Sequence, residues 1–287
     1  IGHSLTRPDG RGALGGTAMR VITACGPFTL DDNLDYEPLQ DLLSAVTADP
    51  PDVVILGGPF LDADHPLVLR GELPASLDDI LSQCVVSRIA AAAEQLKAST
   101  QFIVVPSIAD VAHPFPLLPQ PPFASATWPK SVLCYPNPAC FSLNEVVFAV
   151  GTVDVLLHLG EMSVQRRAAG EKTNPMVSRA EHIVQQRSMY PIVPPHVTAP
   201  VNTLQAHALE LSVTPDVLVL PSQLAPFARE VIGGCVAVNP GRICKRRAGG
   251  TYARVSVFPV SREGEPAQGE AVANRVNERI SVELVWL

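Results

Sequence analysis

The chain has 287 residues, a mass of 30.6 kDa, a formal net charge of -7 and a pI near 5.5, with 47% hydrophobic but only 17% charged residues. A chain of this length buries about three quarters of the surface its unfolded form exposes, so one large domain or two small ones hold a core without disulfides or a structural metal. Apolar runs such as Asp52 to Leu56 and Phe102 to Val105 fall far short of the roughly 20 residues that span a bilayer, which excludes a membrane-spanning chain, and 21 Lys and Arg against 28 Asp and Glu leave no basic excess for a direct grip on nucleic acid.

Residues 1–20 begin with Ile and carry five Gly, no apolar period and no signal-peptide core. They read as a linker trailing from an upstream region, and residues 21–287 read as the folded domain. Val21 to Ala24, Asp52 to Leu56 and Phe102 to Val105 are short runs rich in β-branched residues, separated by helical patterns, which is a βαβαβ reading. The first helix is expected over Tyr36 to Ala48, with Asp35 as N-cap, Leu39, Leu42, Leu43 and Val46 on one face, and Pro50-Pro51 preventing continuation. The second is expected from the Ser76 cap to Lys97, with Leu77, Ile80, Leu81, Cys84, Val85, Ile89, Ala92 and Leu96 forming one stripe.

Proline, at 28 residues, is about twice its ordinary share and is concentrated in connections such as Pro114 to Pro129. Two β-like runs follow, Ser131 to Tyr135 and Glu145 to Gly151, spaced for a hairpin. Asn174-Pro175 is an N-cap with Pro at N1, opening a helix to about Arg187, and Ser222 opens a further helix expected to end at Gly233-Gly234. Val217 to Leu220, Cys235 to Val238, Tyr252 to Phe258 and Ile280 to Leu287 read as strands, the last with Ile280, Val282, Leu284 and Trp286 on one face. Helices early and strands late imply an α/β fold of two facing sheets flanked by helices. Gln165 to Asn174 and Ser261 to Ala273 read as polar insertions in loops.

Chemistry in such a fold belongs at the carboxyl ends of the strands. Those ends carry Cys25-Gly26-Pro27-Phe28, Gly57-Gly58-Pro59-Phe60-Leu61-Asp62 and Pro106-Ser107-Ile108-Ala109-Asp110. Gly-Pro-Phe occurs twice, and Pro and Phe supply neither metal ligands nor proton-transfer groups; the turns read as rigid supports. Gly10, Gly12 and Gly15 match a dinucleotide fingerprint in letters, without the preceding strand and following helix that it needs. His3, His65, His113, His158, His182, His196 and His207 are scattered. Asp62, Asp64 and His65 cluster, as one ion site or, more simply, as a turn or helix start. The six cysteines lack zinc-knuckle spacing and read as reduced thiols of an intracellular protein, although their even number also permits disulfides.

The runs Val21 to Phe28, Pro51 to Asp62, Val105 to Asp110, Pro119 to Phe123, Gln186 to Pro191 and Val238 to Arg242, with Gly249 to Arg254 after them, closely resemble the B-subunit family of eukaryotic DNA polymerase α, in family order. The Gln-Pro-Pro-Phe and Gln-Arg-Ser blocks favour the α-type over the δ- and ε-type relatives. The resemblance implies a calcineurin-like metallophosphoesterase fold, a two-sheet sandwich flanked by helices, without catalytic activity. Pro59 stands where a metal-bridging Asp belongs, Pro106 to Asp110 lacks an Asn-His pair, and Asn239 to Arg242 lacks two histidines. It further implies a non-catalytic scaffold without cofactor or metal, acting in the nucleus. Such a scaffold binds the zinc-bearing C-terminal region of the polymerase α catalytic subunit and, through the complex, primase, and contacts nucleic acid at most indirectly. The family's OB-fold is not visible in this sequence. Gln120, Pro121, Pro122, Phe123, Tyr190 and Pro191 are candidate partner contacts, the alternative being loops packed on their own domain. A rival reading is a residual phosphoesterase using Asp62, Asp110, His113 or His158, and a third is a single-strand DNA-binding module.

Overall fold

A computed structural model describes residues 4–5, 17–97, 99–164, 174–259 and 275–287. In chain order its elements are β1 (Ser4–Leu5), β2 (Met19–Cys25), α1 (Glu37–Ala48), β3 (Val53–Gly57), α2 (Pro66–Arg70) and α3 (Leu77–Ile80). A π turn (Leu81–Val86) leads into α4 (Ser87–Gln95), followed by β4 (Gln101–Val105), β5 (Val132–Cys134), β6 (Ala139–Leu143), β7 (Val146–Val150), α5 (Val155–Met162) and α6 (Pro175–Gln185). The remainder comprises β8 (Val217–Val219), β9 (Phe227–Glu230), β10 (Val236–Asn239), β11 (Cys244–Lys245), β12 (Ala248–Gly249), β13 (Thr251–Val257) and β14 (Ile280–Trp286), with short 3-10 turns between. Of the linker expected over 1–20, Ser4–Leu5 pairs with β6, and Met19 and Arg20 already belong to β2. Residues 1–3 and 6–16, with the Gly10, Gly12 and Gly15 fingerprint, and the insertions at 165–173 and 261–273 lie outside the described residues.

Among the described residues, two six-stranded sheets, ordered β14-β13-β2-β3-β4-β5 and β1-β6-β7-β8-β10-β9, face each other, beside a two-stranded β11-β12 ribbon. Between them lies a core of alternate strand residues, including Val21, Ile55, Ile103 and Val255 from the first sheet and Phe141, Phe148, Val219 and Val238 from the second. β2, β3, β4 and β5 run parallel, and β3 is buried at every position, as a strand covered on both faces must be. Leu39, Leu42, Leu43 and Val46 of α1 and Ile80, Val85, Ile89 and Ala92 of the second helical segment close the outer face of the first sheet. Val155, Leu156 and Leu159 of α5 and Ala180, Ile183 and Val184 of α6 close that of the second.

The helices begin largely where the sequence places them. Ser76 Oγ accepts from Asp79 N at 3.2 Å, and Asn174 Oδ1 accepts from Met176 N at 2.9 Å with Pro175 at N1. The cap of α1 is not Asp35: Tyr36 takes that position in a left-handed conformation (φ 58°), its ring buried, with no side-chain bond to the helix. Three further expectations are corrected. Ser131 to Tyr135 and Glu145 to Gly151 form no hairpin; β5 extends the first sheet beside β4, whereas β7 pairs in the second with β6 across Asn144 and Glu145, both left-handed as a two-residue hairpin turn requires. No helix follows Ser222, because Pro226 has no N–H for a helical ladder, and the chain enters β9 instead. Trp286 does not join the inner face of β14 and is 68% exposed. All six cysteines are free.

Candidate functional site at the strand ends

The carboxyl ends of β2, β3 and β4 and the loops after β7, β8 and β10 surround a cavity of about 160 Å³. The Gly-Pro-Phe turns form one wall. Gly26 N donates to Gly57 O and Gly58 N to Val105 O, both at 2.9 Å, so each turn continues its strand ladder. A Cβ at Gly26 would collide with the carbonyl of Pro59, and one at Gly58 with the Asp110 carboxylate and the Ser107 amide, so both positions require glycine. The turns deliver Phe28 and Phe60 as a stacked pair, centroids 5.3 Å apart, and Phe60 meets Phe123 and Trp128 edge-on at 5.7 Å each.

Polar side chains on this wall are committed to backbone. Asp110, 2% exposed, accepts from Ser107 N at 2.7 Å, from Leu61 N at 3.1 Å and from Phe60 N. Burial pushes its carboxyl up to about 7 even though those three N–H groups pull it down, and the Asp62 charge adds to the rise. Gln120 donates through Nε2 to Ser107 O at 3.0 Å and Phe115 O at 2.9 Å, and contacts His113 Nδ1 at 3.0 Å. Its backbone exchanges two hydrogen bonds with Asn137, whose Oδ1 accepts from Thr152 N. Asn239 Oδ1 accepts from Ser222 N and Gly241 N at 2.9 and 2.8 Å. Asn137 and Asn239 each precede a proline, and that repeated Asn-Pro pair was the one sequence signal for these clamps.

The opposite wall holds a proton-ordered chain, which sequence reasoning missed because it joins residues from α5 and a distant loop. His196 Nδ1 accepts from Thr198 N at 3.3 Å, which puts its proton on Nε2, 3.1 Å from Glu161 Oε2. Thr198 Oγ1 therefore donates to His196 Nδ1 at 2.8 Å and accepts from His158 Nε2 at 3.1 Å, leaving His158 Nδ1 to accept from the Tyr190 hydroxyl at 3.1 Å. The two imidazoles stack with centroids 4.2 Å apart. Burial lowers the pKa of His158, the neighbouring His196 lowers it further, and Asp154 and Glu161 oppose both.

Asp62, Asp110, His113 and His158 do not converge on one point. Asp62 and His158 border the cavity, whereas Asp110 and His113 are bound within the first wall. Asp62 Oδ1 accepts from Asp64 N at 3.1 Å, and its pKa is raised by burial. His65 caps α2 by accepting from Leu67 N, so this cluster is the helix start that the sequence also allowed. Among the described residues no three His, Cys, Asp or Glu side chains are grouped to hold a metal ion. Of the candidate partner contacts, Gln120, Phe123 and Tyr190 are buried in their own domain, Pro121 and Pro122 are exposed, and Pro191 is half-buried.

Two facing sheets flanked by helices, with a strand-end rim held by side chain-to-backbone clamps and proline turns, place the chain among two-sheet α/β proteins. A sequence profile for the B subunits of DNA polymerases alpha and epsilon matches residues 21–229, and the chain belongs to that family. It is 38% identical over 265 residues to the rat (Rattus norvegicus) B subunit of DNA polymerase alpha, covering 89% of this chain and 43% of that one. The fission-yeast (Schizosaccharomyces pombe) protein of the same name is 33% identical over 275 residues, covering 93% and 47%. The chain thus spans less than half the length of these curated relatives.

Proposed function

We propose that the protein is a non-catalytic accessory subunit of the nuclear DNA polymerase α–primase complex, supporting the start of RNA-DNA primer synthesis. In this reading residues 21–287 form a calcineurin-like domain that has lost its metal chemistry and serves as a scaffold. It binds the zinc-bearing C-terminal region of the polymerase α catalytic subunit and reaches primase through it, with nucleic acid touched at most indirectly. The family match over 21–229 carries the reading. The commitment of Asp110, Gln120, Asn137 and Asn239 to backbone donors and acceptors supports it, because a carboxylate shared among three N–H groups has little capacity left for a metal. Pro121, Pro122 and Pro191 are the candidate partner contacts at the surface, and Gln120, Phe123 and Tyr190 shape the loops that present them.

The test is a calorimetric titration of the purified protein with the zinc-loaded C-terminal region of the catalytic subunit. Saturable one-to-one binding is the expected result, and absence of binding by the intact, folded protein overturns the reading. Metal analysis of the same sample separates the rival: stoichiometric Mn, Fe or Zn, lost on replacing Asp62 or His158, would make it a residual phosphoesterase.

A further inference from the structure

Among the described residues, β14 pairs on one side only, with β13, and is an open edge of the first sheet. Two bonds fix which of its backbone groups point outward. Leu287 N donates to Gly250 O at 3.0 Å, and Phe258 N donates to Arg279 O at 2.8 Å. Bonding alternates along an antiparallel strand, so Ser281, Glu283 and Val285 also face β13, and the N–H and C=O of Ile280, Val282, Leu284 and Trp286 point away from the sheet. Side chains alternate across the other axis. Ile280, Val282 and Leu284 are half-buried against the inter-sheet core, while Ser281 and Glu283 are exposed on the opposite face. Glu283 is the one charged residue from Ile280 to Trp286.

We propose that this edge docks one extended polypeptide segment of apolar–basic–apolar pattern, which adds to the first sheet as a further antiparallel strand. Four outward N–H and C=O pairs supply the main-chain bonds for such an addition. Apolar residues opposite Val282 and Leu284 complete burial that the edge leaves half done. A Lys or Arg between them lies opposite Glu283 in the close, non-hydrogen-bonded position, where opposite charges attract. Charge also disfavours a second copy of the chain. Self-pairing through all four outward residues sets Ile280 against Trp286 and Val282 against Leu284, which brings Glu283 against Glu283, where like charges repel. A net charge of -7 favours a cationic segment as well.

The opposing account is that Glu283 is a guard that keeps the open edge from pairing with anything. The experiment uses the intact protein and a synthetic nine-residue peptide of alternating Thr and Val with Lys in place of the central Thr. Trp286 is exposed and Trp128 buried, so the emission of Trp286 reports binding at the strand end. The expected result is saturable binding that slows amide exchange at Ile280, Val282, Leu284 and Trp286 and leaves Ser281, Glu283 and Val285 as they were. Val282→Pro removes an outward N–H together with part of the apolar contact, leaves the bonds to β13 in place, and should weaken binding about tenfold. Glu283→Lys should weaken it about threefold, and a peptide with Glu at its centre should bind that variant better than the wild type. This charge exchange keeps the test decisive if the proline variant fails to fold. No binding, binding indifferent to both substitutions, or outward amides already protected in the free protein would each overturn the proposal.

Discussion

On the first-sheet wall of the strand-end cavity, Phe28, Phe60, Phe123 and Trp128 stack beneath the Gly-Pro-Phe turns, and a buried carboxyl, Asp110, gathers three backbone N–H groups. On the second-sheet wall, Tyr190, His158, Thr198 and His196 form a relay of hydroxyls and imidazoles that ends at the Glu161 carboxylate. The first wall derives its stability from apolar area and from an acid that burial favours in its neutral form. The second adds a chain of hydrogen bonds through two stacked rings to the apolar packing of Leu156, Leu159 and Tyr190. The titrating groups of the two walls are shifted so that the first should weaken as protons leave and the second as they arrive.

Truncating the aromatic stack should produce the largest effect. Phe123→Ala removes the ring that touches Phe60, His113 and Trp128, and should cost about 3–5 kcal/mol in chemical denaturation. A loss below about 1 kcal/mol would mean that the wall collapses to fill the void, and that the dry packing is not what holds it. Gly58→Ala should follow at about 3 kcal/mol, because the new methyl meets a carboxylate and an amide that cannot move without breaking the Asp110 clamp. The same substitution at Gly71, where φ is 69° but nothing among the described residues lies within 4 Å, should cost only the left-handed strain, about 1 kcal/mol. Comparing the two separates steric clash from backbone conformation.

Asp110 gives the next effect, and its sign is defined. Its carboxyl titrates at about 7 in the folded chain and near 4 when unfolded, so the folded state holds the extra proton between those values. Its contribution is full below about pH 4 and is lost as pH rises through about 7, a change on the order of a few kcal/mol. Asp110→Asn keeps an oxygen for the Phe60 and Leu61 amides and cannot ionise. It should lie below the wild type at pH 5, where its NH2 group opposes the Ser107 amide, and close the gap by pH 8. A constant gap between the two proteins across that range would show that Asp110 is ionised throughout.

The βαβαβ half was legible because its signals are local and redundant. Val53 to Leu56 is an unbroken apolar run that suits only a strand covered on both faces, and Leu39, Leu42, Leu43 and Val46 mark one helix face whatever caps it. The later half was less legible for a physical reason. β6 is five residues with an exposed Cys140 among buried neighbours, too short to stand out, and α5 opens with Val-Leu-Leu, which reads as strand until His158 and Glu161 supply a helical period. At the site, the Gly-Pro-Phe turns were readable as rigid supports, since they lack reactive groups. The sequence offers Gln120 and Tyr190 either as partner contacts or as parts of loops packed on their own domain, because polar and aromatic residues among prolines suit both. Their burial depends on partners at Ser107, Phe115, His158 and His196, which no local pattern brings to them.

The smallest effect belongs to the second wall and tests whether it is the opposite of the first. Burial and the stacked His196 lower the His158 pKa, so the unfolded chain takes up a proton near pH 6.5 that the folded chain resists. Stability is therefore full above about 6.5 and is lost as pH falls below it, the reverse of the Asp110 response. His158→Gln retains a donor for Thr198 but loses the acceptor for Tyr190, and should cost on the order of 1 kcal/mol at pH 7.5. At pH 5.5 the unfolded wild type gains a proton that the folded His158 resists, so the gap between wild type and variant should narrow or reverse there. Denaturation midpoints of the two proteins at both pH values decide the matter. If His158→Gln trails by the same margin at each, the imidazole pair contributes packing rather than proton order, and the two walls differ in composition but not in their response to acid.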